Sequence, residues 1–329
     1  MTTVVFFNNK GGVGKTSLVY HLAWMYAEHG LKVIAADLDP QANLTSMFLE
    51  EEILEKLWPE GEHPQSILGA IKPIIKGVGD IAAPHIEEVS ENIGLVVGDL
   101  GLSTFEDKLS DAWPRCLDRD EAAFRIISAF YRILVHVALA RNANVILIDV
   151  GPNLGAINRA AIIAAKYVVV PLAPDLFSLQ GLRNLGPSLR RWREEWRERL
   201  QKNPEPNLIL PEVGMQPLGY VIQQQAIRMD RPAKFYGRWM ARVPAEYRES
   251  VLAQAPQAAP TVEQDHECLA LLRHYRSLMP MAMEARKPIF LLKPADGAIG
   301  SHAQAVQDCY RDFKLLANKI AERCGVCIN

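Results

Sequence analysis

Apolar residues in this chain occur mainly in short continuous runs and not in strict alternation with polar residues. Seven of these runs have strand-like length and are rich in Val, Ile and Leu: Val4–Phe7, Val33–Ala36, Ile93–Val97, Val145–Ile148, Val168–Val170, Leu218–Ile222 and Ile289–Leu292. A continuous apolar run is typical of a strand that is covered on both faces. The pattern therefore predicts a buried, mostly parallel sheet.

Segments with helical periodicity separate many of these runs, at about residues 16–29, 118–141, 155–165, 179–200 and 301–323. Strands that alternate with helices predict a doubly wound α/β fold, in which helices flank the sheet. We expect one domain over residues 1–329. It should carry an acidic, helical or irregular insertion at about 50–92 and a long, Arg-rich, mostly helical insertion at about 223–287.

Composition adds an uneven distribution of charge. The chain has 329 residues, of which 49% are hydrophobic and 22% are charged, and its formal net charge is −2. Residues 1–165 hold 13 Lys and Arg against 21 Asp and Glu, whereas residues 166–329 hold 23 against 17. The basic C-terminal half is therefore where a polyanion could bind.

Composition also excludes several classes of protein. No apolar stretch reaches the roughly 18 residues that a membrane span requires, and the N-terminus lacks the basic region of a signal peptide. The cysteines are odd in number and scattered, which argues against a disulfide framework. We therefore expect a cytoplasmic protein without a membrane partner.

The most informative segment is Lys10-Gly-Gly-Val-Gly-Lys-Thr-Ser17, which lies between the first apolar run and the first helical segment. A strand, a glycine-rich loop and a helix in this order form a phosphate-binding loop. Its backbone N–H groups surround a polyphosphate, Lys15 reaches the β- and γ-phosphates, and the Thr16 hydroxyl binds Mg²⁺. The predicted cofactor-binding residues are Gly11, Gly12, Val13, Gly14, Lys15, Thr16 and Ser17.

Carboxylates follow two other predicted strands. Asp37 and Asp39 end the second apolar run, and Asp149 ends the run Val145–Ile148. Ligands of open α/β sheets bind at the carboxyl ends of the strands. Carboxylates at these ends can support a Mg²⁺ shell and orient water.

These three motifs together resemble the ParA/MinD family of deviant-Walker P-loop ATPases, and most closely its ParA branch. The matching segments are Lys10–Ser17, Asp37–Asn43, Ile148–Gly155, Val170–Leu182 and Gly297–His302. The resemblance is strong over residues 1–50 and 93–190 and thin over the two insertions. The family usually has Gly at the position of Ala42.

The resemblance implies ATP and Mg²⁺ as cofactors and gives Lys10 a role that the loop pattern alone does not. In such proteins this lysine crosses to the partner's nucleotide, as an arginine finger supplied in trans does, so that ATP is enclosed between two subunits. By the same resemblance Lys10, Lys15 and Asp39 are catalytic, with Asp39 positioning water, while Thr16, Asp37 and Asp149 support Mg²⁺. The implied enzyme is a weak ATP hydrolase that forms a homodimer on ATP.

The resemblance to the ParA branch also implies DNA and protein partners. The ATP-bound dimer should bind DNA non-specifically, associate with the nucleoid, and position or segregate a plasmid, chromosome or protein assembly. A ParB-like or other adaptor protein should stimulate ATP hydrolysis and thereby the release of the dimer from DNA. The candidate DNA-binding residues are Arg190, Arg193, Arg228, Arg231, Lys234, Arg238 and Arg242.

Adenine recognition is open between several residues. The family uses an Asn after a late strand and a Pro in a following loop, whereas this chain has Gln223-Gln-Gln and Val243-Pro244. A glutamine amide offers the donor and acceptor that adenine requires. Gln223 and Pro244 are therefore the candidate base contacts.

Two alternative functions remain at this stage. A membrane-associating positioning ATPase like MinD would use the amphipathic C-terminal helix as its membrane anchor. An ATPase for metallocluster assembly would use Cys324 and Cys327, although this pair lacks a second ligand pair.

Overall fold

The computed structural model describes residues 1–223, 233–255, 258–275 and 277–328, with the backbone alone over 233–236. Its strands are β1 (Thr2–Phe6), β2 (Val33–Asp37), β3 (Glu87–Ser90), β4 (Ile93–Val96), β5 (Val145–Asp149), β6 (Tyr167–Leu172), β7 (Gln216–Gln223) and β8 (Cys268–Leu272). They form one sheet in the order β3-β4-β2-β5-β1-β6-β7-β8. Strand β3 pairs with β4 in antiparallel fashion, and the other described pairs are parallel.

Helices cover both faces of this sheet. They are α1 (Lys15–Glu28), α2 (Asn43–Phe48), α3 (Glu51–Leu57), α4 (Ile67–Lys76), α5 (Glu106–Arg115), α6 (Glu121–Ile127), α7 (Ala129–Arg141), α8 (Ala156–Ile163), α9 (Leu176–Leu200), α10 (Ala233–Met240), α11 (Val243–Glu246), α12 (Leu278–Glu284) and α13 (Ser301–Cys324). The predicted mostly parallel, doubly wound α/β fold is thus confirmed.

Alternating side chains of each central strand enter two separate cores, one on each face. In β1, Val4 and Phe6 pack with α1 and α13, whereas Val5 packs with the helices of the opposite face. All three side chains are fully buried. This two-sided burial is the reason that the strands appear in the sequence as continuous apolar runs.

The structure corrects several predicted elements. The run Ile289–Leu292 is not a strand, because Ile289–Leu291 forms a 3₁₀ turn whose residues pack against α1 and α13. The edge strands β3 and β8 lie inside the two segments predicted as insertions. The single helix predicted over 118–141 is two helices, α6 and α7, with a 59° bend between them.

In the described part of the chain, none of the helices is by itself long and apolar enough to cross a membrane. The bent pair α6–α7 meets that criterion of length and composition only when its two helices are taken together.

Candidate functional site

The predicted phosphate-binding loop lies at the carboxyl end of the central strand β1 and leads directly into α1. Strand β5 lies beside β1, and β2 lies beside β5. This order places Asp149 opposite Phe6 in one pair of strands and opposite Asp37 in the next. The sheet therefore brings the loop and both carboxylates to one edge, as the sequence predicts.

The backbone of the loop folds around the side chain of its own Lys15. Gly12 and Gly14 adopt left-handed φ values of 70° and 76°, which residues with a Cβ rarely adopt. The buried Lys15 Nζ donates hydrogen bonds to the backbone oxygens of Asn8, at 3.3 Å, and Lys10, at 3.4 Å. Burial lowers the pKa of Lys15, whereas Asp149 and Asp39 act in the opposite direction.

The buried Asp37 and Asp149 and the partly exposed Thr16 form an acidic centre beside this loop. The Thr16 hydroxyl donates to Asp149 Oδ2 at 2.7 Å. Burial raises the pKa of Asp37 to about 7, and burial together with repulsion from Asp37 raises that of Asp149 well above its usual value. Within the described ranges, Asp149 Oδ1 is buried and has no hydrogen-bond partner.

These observations fit a divalent cation. Two carboxylates that burial drives towards protonation are stabilised as anions by a nearby metal charge. The orphaned oxygen of Asp149 and the Thr16 hydroxyl are hard oxygen donors of the kind that Mg²⁺ prefers. Thr16, Asp37 and Asp149 are therefore suited to hold Mg²⁺ directly or through water.

Asp39 begins a tight segment that connects β2 to α2. Its backbone N–H donates to Asp37 Oδ1 at 3.3 Å, and its own Oδ1 accepts the Gln41 N–H at 3.0 Å. Ala42 then adopts φ 51° and ψ 33°, in the left-handed region. Glycine would adopt this conformation more readily than alanine, since a Cβ adds roughly 1 kcal/mol of strain in that region.

Lys10 lies at the outer end of the loop and pairs within its own chain. Its Nζ makes a short ion pair with the carboxylate of Asp175, the N-cap residue of α9. Both side chains are partly exposed. The backbone N–H of Lys10 donates to Asn8 Oδ1 at 3.0 Å. Lys10 thus pairs with a carboxylate that follows β6, whereas the carboxylates of the acidic centre end β2 and β5.

A cavity of about 430 Å³ adjoins the loop. Gln223 lines it and donates from Nε2 to the Gly14 carbonyl at 3.1 Å. Pro244 is buried near the start of α11 and is not among the residues that line this cavity. Leu272, the last residue of β8, and the three residues that follow it also line the cavity, and the sequence analysis assigned none of them to the site.

His21 lines the same cavity from α1 and was also not assigned. Its Nδ1 lies 2.7 Å from the Ser17 carbonyl, and its Nε2 accepts the Ile289 N–H at 3.2 Å. This pattern requires the neutral tautomer with the proton on Nδ1. Complete burial lowers the pKa of His21 to about 4, which maintains that state.

The predicted DNA-binding residues fall into three groups. The Arg190 guanidinium donates hydrogen bonds to the backbone oxygens of Ser250 and Val251. The Arg193 guanidinium donates to the backbone oxygen of Met215. Arg238 and Arg242 are exposed and flank the Trp239 ring. Arg228 and Arg231 lie outside the described residues, as does the side chain of Lys234.

The two cysteines near the C-terminus, Cys324 and Cys327, differ in their exposure to solvent. Cys324 is buried at the end of α13, whereas Cys327 is exposed. Across the ranges that the structure describes, no three His, Cys, Asp or Glu residues are grouped as metal ligands would be.

Comparison with known proteins agrees with the motifs. The family described as AAA domain (AAA_31) matches residues 1–202. Protein IncC of Escherichia coli is 30% identical over 195 residues, which is 59% of this chain and 47% of IncC. The virulence plasmid ParA family protein pGP5-D of Chlamydia psittaci is 30% identical over 189 residues, which is 56% of this chain and 62% of that protein.

Similarity to solved structures extends into the C-terminal half. The crystal structure of protein DIP2308 from Corynebacterium diphtheriae has a TM-score of 0.68 and 27% identity, and the match covers 87% of this chain and 97% of that one. The match to curated relatives spans about half of their length. The chain belongs to the AAA domain family AAA_31, and its relatives include ParA-family plasmid proteins, which confirms the resemblance found in its motifs.

Proposed function

We propose that this protein is a ParA-like ATPase that uses ATP to switch between a monomer and a DNA-bound dimer, and so positions or segregates a cargo. The observation that carries the proposal is the acidic centre of Thr16, Asp37 and Asp149, with both carboxylates buried, beside a glycine-rich loop. This arrangement fits Mg²⁺ and the phosphates of a nucleoside triphosphate. The adjoining cavity has a volume suited to a base, with Gln223 at its rim.

Each residue has a defined task in the proposed hydrolysis. Lys15 and the loop N–H groups bind the phosphates, and the helix dipole of α1 adds positive potential. Asp39 is buried next to Asp37, and it orients the attacking water. Thr16, Asp37 and Asp149 would hold Mg²⁺, which would supply positive charge beside the phosphate oxygens. Because the transition state is loose, positioning and charge stabilisation supply most of the rate.

Lys10 supports the dimer step of the proposal. It is not needed to bind phosphate, since Lys15 already fills that role, and its side chain is partly exposed at the outer end of the loop. A cation in that position can complete the nucleotide site of a second copy. ATP binding and dimerisation are then coupled, because each nucleotide contributes to the interface of both chains.

Two lysine variants test this proposal. Lys15→Ala should abolish binding of a fluorescent ATP analogue, whereas Lys10→Ala should bind it and remain monomeric in sedimentation experiments. Lys32→Ala, which removes an exposed lysine before β2, is the matched control and should behave as the wild type. ATP-dependent dimerisation of Lys10→Ala at wild-type strength would contradict the trans-lysine mechanism.

The DNA step is supported by the basic C-terminal half and by exposed arginines on α9 and α10–α11. Arg191, Arg197, Arg238 and Arg242 are all exposed. Non-specific DNA binding requires Lys and Arg side chains spread over a surface, and it does not need a motif that reads the bases. Binding of unrelated DNA fragments should require ATP and weaken steeply with salt, and liposomes of anionic lipid should bind no better with ATP than without it. A cargo and an adaptor that stimulates hydrolysis complete the proposed cycle.

A further inference from the structure

The connection between β5 and α8 is fixed at its far end by a side chain from another helix. Residues 150–155 form this connection, the β5–α8 loop. The N-cap residue of α8 is Gly155, which has no side chain to cap the helix. Glu106, the first residue of α5, takes that role, because its carboxylate accepts the Ala156 N–H at 2.5 Å and the Ile157 N–H at 2.9 Å. The helix dipole also favours an anion at this position.

The β5–α8 loop is bound to α8 through Asn158. This buried side chain donates from Nδ2 to the backbone oxygens of Gly151, at 2.9 Å, and of Asn153, at 2.7 Å. Asn153 Oδ1 also accepts the Gly155 N–H at 2.8 Å. The loop and the first turn of α8 therefore form one hydrogen-bonded unit, and Glu106 joins that unit to α5.

The same unit lies against the carboxylate that the proposed function assigns to the attacking water. A Cβ on Gly151 would lie 3.2 Å from Asp39 Oδ1 and 3.7 Å from Asn158 Nδ2. The N–H of Leu38, the residue before Asp39, donates to the Asp149 carbonyl at 3.0 Å. A displacement of the β5–α8 loop therefore moves atoms that contact Asp39.

We infer that Glu106 is a positioning residue for ATP hydrolysis, which acts by holding the β5–α8 loop in place beside Asp39. Its carboxylate contacts the backbone of α8 and belongs neither to the phosphate-binding loop nor to the acidic centre. A misplacement of about 1 Å near the reacting groups can cost about a hundredfold in rate. Loss of the Glu106 carboxylate therefore lowers kcat and leaves nucleotide affinity unchanged. This inference rests on the proposed function.

Three variants change this contact in different ways. Glu106→Ala removes both hydrogen bonds, and Glu106→Gln keeps the length of the side chain and one acceptor oxygen but not the charge. Gly155→Ala acts from the other side, since a Cβ there would lie 2.6 Å from Glu106 Oε1 and 2.8 Å from Asn153 Oδ1. Gly155 has φ −74° and ψ 179°, which alanine adopts without strain. The effect of Gly155→Ala therefore comes from the side chains that it displaces.

Asp120→Ala is the matched control. The Asp120 carboxylate accepts the N–H groups of Ala122, at 2.9 Å, and Ala123, at 3.3 Å, at the N-terminus of α6, and it also pairs with Arg115. The control thus removes a carboxylate from two N–H groups at the start of a helix, as Glu106→Ala does, in a helix that contributes no residue to the proposed site. Both substitutions should lower the urea midpoint of unfolding, so stability alone does not distinguish them.

The measurement is kcat for ATP hydrolysis at saturating ATP and Mg²⁺, with the affinity for a fluorescent ATP analogue determined separately. Glu106→Ala should lower kcat by about tenfold to a hundredfold at unchanged affinity, whereas Asp120→Ala should keep the wild-type kcat. Glu106→Gln should lie between Glu106→Ala and the wild type, because one hydrogen bond remains. Gly155→Ala should lower kcat in the wild type and by less in a Glu106→Ala background, where the carboxylate that it displaces is absent.

The outcomes separate this inference from the proposed function. A wild-type chain that does not hydrolyse ATP would overturn both. A wild-type chain that hydrolyses ATP, with Glu106→Ala equal to Asp120→Ala in kcat, would overturn the positioning role alone. Full additivity of Gly155→Ala and Glu106→Ala would also contradict it, because the two substitutions would then act independently. A loss of nucleotide affinity in Glu106→Ala would show that Glu106 acts on binding and not on the placement of the β5–α8 loop for hydrolysis.

Discussion

Asp37 and Thr45 are joined by two hydrogen bonds, since Asp37 Oδ2 accepts both the backbone N–H and the hydroxyl of Thr45, each at 2.8 Å. The same hydroxyl oxygen accepts the Gly98 N–H at 2.8 Å. Thr45 therefore connects the ends of β2 and β4 to α2. These bonds oppose the effect of burial on the pKa of Asp37 and fix one carboxylate of the acidic centre.

Thr45→Val should destabilise the protein by about 2 to 3 kcal/mol, because the buried Asp37 carboxylate and the buried Gly98 N–H each lose a partner. Valine keeps the shape of the side chain, so a packing defect does not contribute. Urea unfolding measures the change. Thr104→Val removes an exposed hydroxyl that donates to the Gly101 carbonyl at 2.8 Å, and should change stability by less than about 0.5 kcal/mol. Equal effects of the two substitutions would contradict this account.

Gln223→Ala should weaken ATP binding by roughly fivefold to tenfold, the value of about one hydrogen bond. Inorganic triphosphate should bind with unchanged affinity, because the loop and Lys15 remain intact. Isothermal titration with both ligands measures the difference. Gln216→Ala, at the exposed beginning of the same strand, is the control. A parallel loss of triphosphate binding would place Gln223 in the phosphate site instead of the base site.

The central strands and the loop could be predicted because local sequence determines them. Glycines that can adopt positive φ, a lysine and a hydroxyl are the parts with which a phosphate-binding loop holds a polyphosphate. Carboxylates that follow buried strands must lie at the same edge of a parallel sheet. Thr16, Asp37 and Asp149 therefore appear in the structure where the sequence predicts them.

The edges of the sheet could not be predicted in the same way. Cys268–Leu272 and Ile289–Leu292 are both short apolar runs, and only tertiary contacts decide that the first pairs with β7 while the second packs against α1 and α13. The ion pair between Lys10 and Asp175 joins residues 165 positions apart. His21 likewise accepts a hydrogen bond from the N–H of Ile289, which is 268 positions away in the sequence.

His21 should make stability depend on pH in the acid range. Its pKa is about 4 in the folded protein, compared with 6.5 as the ordinary value. Between these two pH values the unfolded chain therefore binds more protons than the folded protein. The part of the free energy of unfolding that is linked to His21 is fully present above pH 6.5 and is lost as the pH falls towards 4. The linked change is about 3 kcal/mol.

His21→Gln measures this contribution, because glutamine does not titrate. The free energy of unfolding should be determined by urea at several values between pH 4 and pH 7. The variant should be less stable than the wild type at pH 7, and the difference should narrow as the pH falls. His136→Gln, at an exposed position of α7, should keep the wild-type profile. A constant difference between His21→Gln and the wild type would exclude His21 as the titrating group.

Arg238→Ala and Arg242→Ala should weaken DNA binding without loss of stability, because both side chains are exposed. Each should reduce the slope of log affinity against log salt by about one if it contacts a phosphate. Arg190→Ala should instead lower the unfolding midpoint, because its guanidinium holds the Ser250 carbonyl at 2.6 Å. Unchanged salt slopes for Arg238→Ala and Arg242→Ala would remove these residues from the DNA surface.

Gly186→Ala should be among the most destabilising small substitutions in the chain. A Cβ at this position of α9 would lie 1.8 Å from the oxygen and 2.4 Å from the carbonyl carbon of Ser250. The obstacle is backbone, so α9 and the turn over Tyr247–Val251 must separate, at a cost of about 3 kcal/mol or more. Gly237→Ala, in α10, meets no atom of the described residues within 4 Å and should stabilise the protein by about 0.5 to 1 kcal/mol, since alanine has the higher helix propensity. Thermal unfolding of both variants measures the contrast, and the close approach of α9 to this turn would be refuted if Gly186→Ala were as stable as the wild type.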